Sequence, residues 1–183
     1  MEALDGIFAA KQSQGARDYQ EDDFGFLETP SGVFMVLADG MGGHVGGRHA
    51  SSTAVKAMIN EFEAVDGDGG GDVIEYLQSA ANGANDRLRE AIEQDDQLSG
   101  MGTTLVGAAV TEDGLYWISI GDSPMWLSGE GDLYRLNEDH YRAHVTAALW
   151  GIGRSSAEDD GGGQGRSRPL IRVRGGYLSG VSK

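Results

Sequence analysis

The chain has 183 residues, which is enough for one domain with a core of its own. It contains no cysteine, and this excludes disulfides, a thiolate nucleophile and a cysteine-based zinc site. The net charge of −15 argues against nucleic acid as a partner, and the longest apolar run, of six residues, is too short to span a membrane.

The predicted elements run as strands, then two helices, then strands again. Periodicity and turn residues predict strands at 7–10, 24–27 and 33–38, and later at 103–111, 115–120, 125–127 and 133–136. A first helix is predicted from about Arg48, with an apolar face at positions 50, 54, 55, 58, 59 and 62. A second is predicted from residue 73, with Asp72 as its N-cap and an apolar face at positions 73, 77, 80, 84, 88 and 91. Residues 112–114 predict a hairpin turn. Because strand–helix–strand alternation is rare here, the order favours an α+β fold with helices on a largely antiparallel sheet or sandwich.

One loop stands out as a candidate site. The continuous apolar run at 33–38 predicts a buried strand that ends in Asp39, and glycines follow at positions 40, 42, 43, 46 and 47. A strand end holds a carboxylate rigidly, while glycines let backbone groups approach an ion or a phosphate closely. A flexible turn needs fewer glycines than this. The loop also resembles a dinucleotide-binding fingerprint, but Val45 stands where the third glycine is required.

Two further acidic segments have the chemistry of a site. Arg17 precedes Glu21 and Asp22 by four and five residues, just before a predicted strand. The guanidinium suits phosphate oxygens, and the carboxylates suit Mg²⁺ or Mn²⁺. Asp122 closes another apolar strand, as Asp39 does. Alone, the Arg17 segment is more typical of a solvated charged turn than of a site, and the Asp122 segment is equally typical of an ordinary turn, so their value depends on their coming together.

The end of the chain has a different composition. Residues 154–183 contain six Lys/Arg, three acids and seven glycines, and they show no clear periodicity. We therefore predict two parts: residues 1–153 as the main domain and 154–183 as an atypical basic, glycine-rich tail. The acidic N-terminus is unlike a signal peptide, so a cytoplasmic location is expected.

The motifs together resemble a known family. In chain order they are Arg17 with Glu21-Asp22, Asp39-Gly40-Met41-Gly42-Gly43-His44, Gly102-Thr103-Thr104, Gly121-Asp122-Ser123 and Asp139-His140. This set resembles the metal-dependent protein phosphatases of the 2C type in their bacterial form, over roughly residues 5–140. The resemblance implies a β-sandwich of largely antiparallel strands flanked by helices. It also implies a monomeric serine/threonine phosphoprotein phosphatase that uses two Mn²⁺ or Mg²⁺ ions, with a third held weakly.

The resemblance also implies a role for each matching metal-site residue. Asp39 would bridge the two ions, and the Gly40 carbonyl would hold one of them. Glu21 and Asp22 would act through metal-bound waters and hydrogen bonds. Asp122 would contribute to the weaker third site.

Two more residues receive catalytic roles beside Asp39. Arg17 would bind the substrate phosphate, and His44 would donate a proton to the leaving seryl or threonyl oxygen. Water ionised by the two ions would attack phosphorus, so the reaction needs no protein nucleophile.

Two later family motifs, a strand ending in Ser-Asp-Gly and a final Asp-Asn, are not found in this sequence. We therefore expect a version of the domain that is truncated or disrupted at its C-terminus, with weak or absent turnover. Three hypotheses stay open: a working phosphatase, a catalytically impaired remnant that binds phosphoproteins or acts as a regulatory module, and a nucleotide-binding domain.

Overall fold

The computed structural model describes residues 9–29, 32–42, 45–66, 72–112, 114–129, 131–138, 150–156 and 172–178. The helices are α1 (Val45–Asp66) and α2 (Val73–Gln94), followed by a short 3₁₀ helix (Asp96–Leu98). The strands are β1 (Asp22–Thr29), β2 (Gly32–Met41), β3 (Gly102–Thr103), β4 (Leu105–Thr111), β5 (Gly114–Ile120), β6 (Trp126–Gly129), β7 (Asp132–Arg135), β8 (Trp150–Ser156) and β9 (Arg172–Leu178).

Seven of the strands form one antiparallel sheet. Its order is β1-β2-β4-β5-β8-β9, and β3 pairs with the end of β2. Strands β6 and β7 form a separate antiparallel pair. The two helices pack on each other, and both contact the sheet. The predicted α+β class, with largely antiparallel strands flanked by helices, is confirmed.

The main core lies between the sheet and the helices. Along β2 the burial alternates, so that Phe34, Val36 and Ala38 are buried while Leu37 is 45% exposed. Phe34 stacks on Phe62 of α1, with 4.4 Å between ring centroids and 7° between planes. The helices therefore cover one face of β2, and the side chains of Leu37 and Asp39 belong to the other face.

Close packing of α1 on β1 depends on a small residue at the contact. A Cβ built on Gly25 would come within 3.0 Å of Val55 and 3.2 Å of Ile59. The apolar faces predicted for both helices are the faces that pack into the core. The predicted N-cap is also confirmed, because an Asp72 side-chain oxygen accepts a hydrogen bond from the Ile74 N–H at 2.9 Å.

The strand predicted at 103–111 is interrupted at Thr104. Residues before the break pair with Gly40 and Met41, and β4 pairs with the body of β2. At the break, the Thr104 N–H donates to the Asp39 carbonyl at 2.9 Å, and the Asp39 N–H donates to the Thr104 hydroxyl at 3.0 Å. The irregularity therefore fastens Thr104 beside the end of β2.

Other boundaries differ little from the predictions. Helix α1 begins at Val45, three residues before the predicted start. Of the first predicted strand, residues 7 and 8 lie outside the described part, and Ala9 and Ala10 are not in a strand. The predicted hairpin at 112–114 is confirmed by the pairing of Thr111 with Gly114.

The predicted division of the chain at residue 154 falls within β8, and β9 pairs with β8 in the main sheet. The two-part organisation stays a prediction. Within the described residues, no helix is both long enough and apolar enough to cross a bilayer.

Candidate metal and phosphate site

Antiparallel pairing brings two predicted acids to one end of the sheet. Asp22 is the first residue of β1, and its Cα partner across the ladder is Asp39 of β2. Beyond this pair, the Gly40 N–H donates to the Glu21 carbonyl at 3.1 Å. Residues 17 positions apart in sequence are thus fixed by the register of one hairpin.

The Asp39 carboxyl is the electrostatic centre of this cluster. The pKa of Asp39 is raised, and partial burial is the largest cause. The negative charge of Asp22 and a hydrogen bond with Asp22 raise the pKa further. The positive charge of Arg17 acts in the opposite direction, and Asp122 adds to the upward shift. Residues predicted from three separate segments therefore lie within electrostatic reach of Asp39. The excess negative charge is what a bound cation would relieve.

Backbone contacts hold the Asp39 loop against the start of α1. A Cβ on Gly40 would overlap the Gly47 carbonyl oxygen and would approach the Glu21 carbonyl oxygen at 2.7 Å. A Cβ on Gly47 would lie 2.5 Å from Oε1 of Glu21. Because the obstacles at Gly40 are backbone atoms, that position requires glycine, whereas a side chain at Gly47 would first displace the Glu21 carboxylate.

Glu21 is held with one carboxylate oxygen out of solvent. Its Oε1 atom is buried and has no hydrogen-bond partner within the described residues. Such an atom has lost its hydration without a compensating bond, which is costly for a carboxylate. Water bound near a cation would satisfy it, in keeping with the predicted role through water.

A second set of hydrogen bonds joins the Asp39 and Asp122 loops. The Thr104 hydroxyl, which accepts from the Asp39 N–H, lies 2.7 Å from the Ser123 hydroxyl. Asn137 holds the same loop from the other side, donating to the Ser123 carbonyl at 2.8 Å and to the Ser119 hydroxyl at 2.7 Å. The hydroxyl pair therefore links the two carboxylate-bearing loops directly.

Asn137 also accepts a hydrogen bond from the Met125 N–H at 2.7 Å, and only 7% of its surface is exposed. It thus satisfies both ends of its amide inside the fold. The turn itself depends on Gly121, whose φ is +93° and whose Cβ would lie 2.8 Å from the Thr104 side chain. Together these contacts fix the place at which Asp122 leaves β5.

The described residues offer suitable donor atoms for a metal ion, but they supply only part of a ligand set. Asp22, Asp39 and Asp122 offer hard oxygen donors, and Gly40 offers a carbonyl. Within the residues that the structure describes, however, no three acidic or histidine side chains are grouped closely enough to hold an ion by themselves. The described residues therefore match part of a ligand set for Mg²⁺ or Mn²⁺.

Six of the predicted site residues lie near one another in the structure. Arg17, Glu21, Asp22, Asp39, Gly40 and Asp122 all belong to this end of the sheet. His44, the predicted proton donor, and the Asp139-His140 motif lie outside the described residues. The individual roles stay predictions.

Two residues of the site were undervalued or missed by sequence reasoning. The pattern at 103–111 predicts Thr104 only as part of a strand, although its place in the Gly102-Thr103-Thr104 motif is a usable signal. Asn137 was missed altogether. A single polar residue after a strand gives no local signal, and its importance arises only from what the fold places around it.

Comparisons with known proteins agree with this geometry. A family model described as protein phosphatase 2C matches residues 11–149. The serine/threonine protein phosphatase PstP of Mycobacterium tuberculosis is 34% identical over 105 residues, which is 57% of this chain and 20% of that protein. The serine/threonine phosphatase stp of Listeria welshimeri is 32% identical over 145 residues, covering 78% of this chain and 56% of that protein.

A solved structure gives the same picture at the level of the fold. It is described as the catalytic domain of the serine/threonine protein phosphatase PstP in complex with two manganese ions. It superposes with a TM-score of 0.57 at 25% identity, over 76% of this chain and 72% of that one. The chain spans between a fifth and about half of the length of the two curated relatives named above. The family model, the relatives and the shared fold agree, and the chain belongs to the protein phosphatase 2C family.

Proposed function

We propose that this protein is a serine/threonine phosphoprotein phosphatase that hydrolyses phosphoester bonds with water activated by Mn²⁺ or Mg²⁺. The observation on which this depends is the Asp22–Asp39 pair beside the Arg17 guanidinium, where partial burial and then the negative charge of Asp22 raise the pKa of Asp39. An acidic pair that favours a cation thus lies next to a group that favours phosphate. Family membership and the named activity of the relatives support the same function.

The residues divide the work between ion binding and substrate binding. Asp39 and the Gly40 carbonyl would hold two ions, Asp122 a third more weakly, and Glu21 and Asp22 would orient the surrounding water. When bound, the ions supply Lewis acidity, which lowers the pKa of water and offsets phosphoryl charge. Arg17 would bind the phosphoryl oxygens through its planar fork and orient phosphorus toward the acidic pair. We keep His44 as the proposed proton donor to the leaving oxygen.

The test is hydrolysis of p-nitrophenyl phosphate and of a phosphothreonine peptide, with Mn²⁺ and with EDTA. Asp39→Asn is expected to abolish the Mn²⁺-dependent rate, by more than the roughly 10–100-fold typical of changes around metal ligands. Asp86→Asn makes the same chemical change on an exposed position of α2 and is expected to leave the rate unchanged. Equal rates for the wild type and Asp39→Asn would contradict the proposal.

The alternative, an impaired remnant that binds phosphoproteins or a regulatory partner, makes a different prediction. It requires binding of a non-hydrolysable phosphonate peptide without turnover of the matching phosphopeptide. Measuring phosphonate-peptide binding and phosphopeptide turnover on the same protein therefore separates the two functions. The monomeric state stays a prediction from the family resemblance, and the cytoplasmic location stays a prediction from the composition of the N-terminus. Size-exclusion chromatography with light scattering tests the first.

A further inference from the structure

A cleft of about 420 Å³ lies between the segment that follows Gln14 and the first two turns of α1. Its residues on the segment side include Asp18, Tyr19 and Gln20, and those on the helix side include Val45, Arg48 and His49. None of these six was assigned a function above. The cleft is large enough to accept one or two side chains of a peptide.

The cleft adjoins the proposed phosphate site. Arg17 belongs to the same segment, where the Gln14 side-chain amide donates to the Arg17 carbonyl at 2.7 Å and shapes the turn. At the other end of the segment, Oε1 of Gln20 accepts a hydrogen bond from the Asp22 N–H at 3.3 Å. The residues flanking a phosphoserine bound at Arg17 would therefore pass close to the cleft.

The helix side of the cleft favours a negative group. Arg48 is exposed, and in the described part of the chain no ion pair engages its guanidinium. The first turn of α1 contains no acidic residue of its own, so its N-terminal partial charge adds to that of Arg48. Against this, Asp18 faces the cleft from the opposite side and Glu21 packs against Gly47.

The rim also offers apolar surface. Tyr19 is 50% exposed and Val45 is 74% exposed, both beside the cleft. A side chain with an apolar stem and a charged end would cover this surface while its charge reached Arg48. Glutamate and aspartate fit this description best among peptide side chains.

We propose that this cleft is a specificity subsite that binds an acidic residue close to the phosphorylated residue of a protein substrate. The inference rests on the proposed function, because it takes the phosphate to lie at Arg17. Arg48 provides the attraction and Asp18 opposes it, so the two side chains set the preference with opposite signs.

The experiment measures the Kd of fluorescent peptides that contain a phosphonate analogue of phosphoserine, flanked by aspartates or by alanines. Arg48→Gln is expected to raise the Kd of the aspartate peptide about three- to fivefold, the size expected for a partly exposed ion pair. Asp18→Asn is expected to lower the same Kd about twofold. Neither change should move the Kd of the alanine peptide.

Lys56→Gln is the matched control, because Lys56 is exposed on the same helix and does not line the cleft. A long-range effect of net charge would make it behave like Arg48→Gln, and that result would overturn the proposal. An unchanged Kd of the aspartate peptide in the Arg48→Gln variant would also overturn the proposal. The proposal would likewise be overturned if Arg48→Gln changed only the Kd of a peptide that carries a second phosphate in place of the aspartates.

This binding assay is independent of turnover. If phosphopeptides are not hydrolysed with Mn²⁺ but the aspartate preference depends on Arg48, the proposed activity fails and the subsite stands. If hydrolysis occurs and the preference is absent, the subsite fails alone.

Discussion

The two segments that bear Asp39 and Asp122 are held in different ways. Asp39 lies inside β2, where Asp22 faces it across the ladder and backbone groups of Glu21 and Thr104 bond to either side of its peptide unit. Asp122 lies in a turn after β5, and that turn is fixed mainly by side chains. A carboxylate placed by the ladder resists most single substitutions nearby, whereas one placed by side chains depends on a few of them.

The two segments also differ in the kind of contact that makes them rigid. Around Asp39 the fixed contacts are mostly backbone to backbone, apart from the hydrogen bond of its N–H to the Thr104 hydroxyl, and glycines make the close backbone approach possible. Around Asp122 the contacts run through Thr104, Ser123 and Asn137. Substitutions in the first segment should therefore damage the fold and the site together, and those in the second should loosen one loop.

The largest expected effect is from Gly40→Ala. The new Cβ would overlap the Gly47 carbonyl oxygen, and because this is backbone, the start of α1 must move. We expect a loss of about 1–3 kcal/mol in the free energy of unfolding, measured by chemical denaturation in EDTA, and loss of Mn²⁺ binding by calorimetry.

Gly83→Ala is the control for this change. Gly83 lies within α2, and its Cβ would make only an ordinary contact with Glu61 at 3.7 Å. Because alanine is the better helix former, stability should stay the same or rise by about 0.5–1 kcal/mol. Equal stability of Gly40→Ala and the wild type would break the backbone-packing account of the Asp39 loop.

The next effect is from Asn137→Ala. The substitution leaves the Met125 N–H and the Ser119 hydroxyl without their partner inside the fold. We expect a loss of about 1–3 kcal/mol in unfolding free energy. Asn60→Ala, at an exposed position of α1, should change it by less than about 0.5 kcal/mol. Similar losses in both variants would show that Asn137 does not hold the turn.

A smaller effect is the coupling between Thr104 and Ser123. Thr104→Val, Ser123→Ala and the double variant form a cycle across the 2.7 Å hydroxyl contact. Because the contact joins the two loops, we expect a coupling free energy of about 1 kcal/mol in denaturation experiments. Strict additivity of the two single changes would mean that the loops are placed independently.

The smallest effect is a pH dependence of stability at Asp39. Since folding raises the pKa of this carboxyl, the folded state favours its protonated form, and ionisation destabilises the fold as pH rises through the raised pKa. In EDTA, Asp39→Asn should therefore be more stable than the wild type near neutral pH. The advantage should disappear below the unfolded-state pKa, where the carboxyl is protonated in both states. An advantage that grew as pH fell would contradict the direction of the shift.

The sequence predicted the helices, strands and turns better than it predicted which side chains are buried. The turn at 112–114, the N-cap at Asp72 and the apolar faces of both helices follow from local patterns, and the structure confirms them. The continuous apolar run at 33–38 predicted a buried strand, yet Leu37 is 45% exposed. Periodicity alone does not report how many layers cover a strand.

The candidate site shows the same division. Acidic residues at strand ends and the glycines after Asp39 were evident from spacing, and the family resemblance joined them into one site. The place of Asn137 was not predictable, because its three partners come from separate positions between residues 119 and 125. The cleft between the Arg17 segment and α1 was likewise invisible, since neither side forms it alone.

By itself, the sequence determined the local chemistry of this protein: which residues are acidic, which lack a side chain, and where strands and helices begin. Those properties depend on neighbours along the chain. The tertiary structure decided which carboxylates repel each other, which hydroxyl groups are in hydrogen-bond contact and which arginine lines an open cleft. Such properties depend on distances in space, and the pairing of β1, β2 and β4 sets those distances for residues as far apart in the chain as Asp22, Asp39 and Thr104.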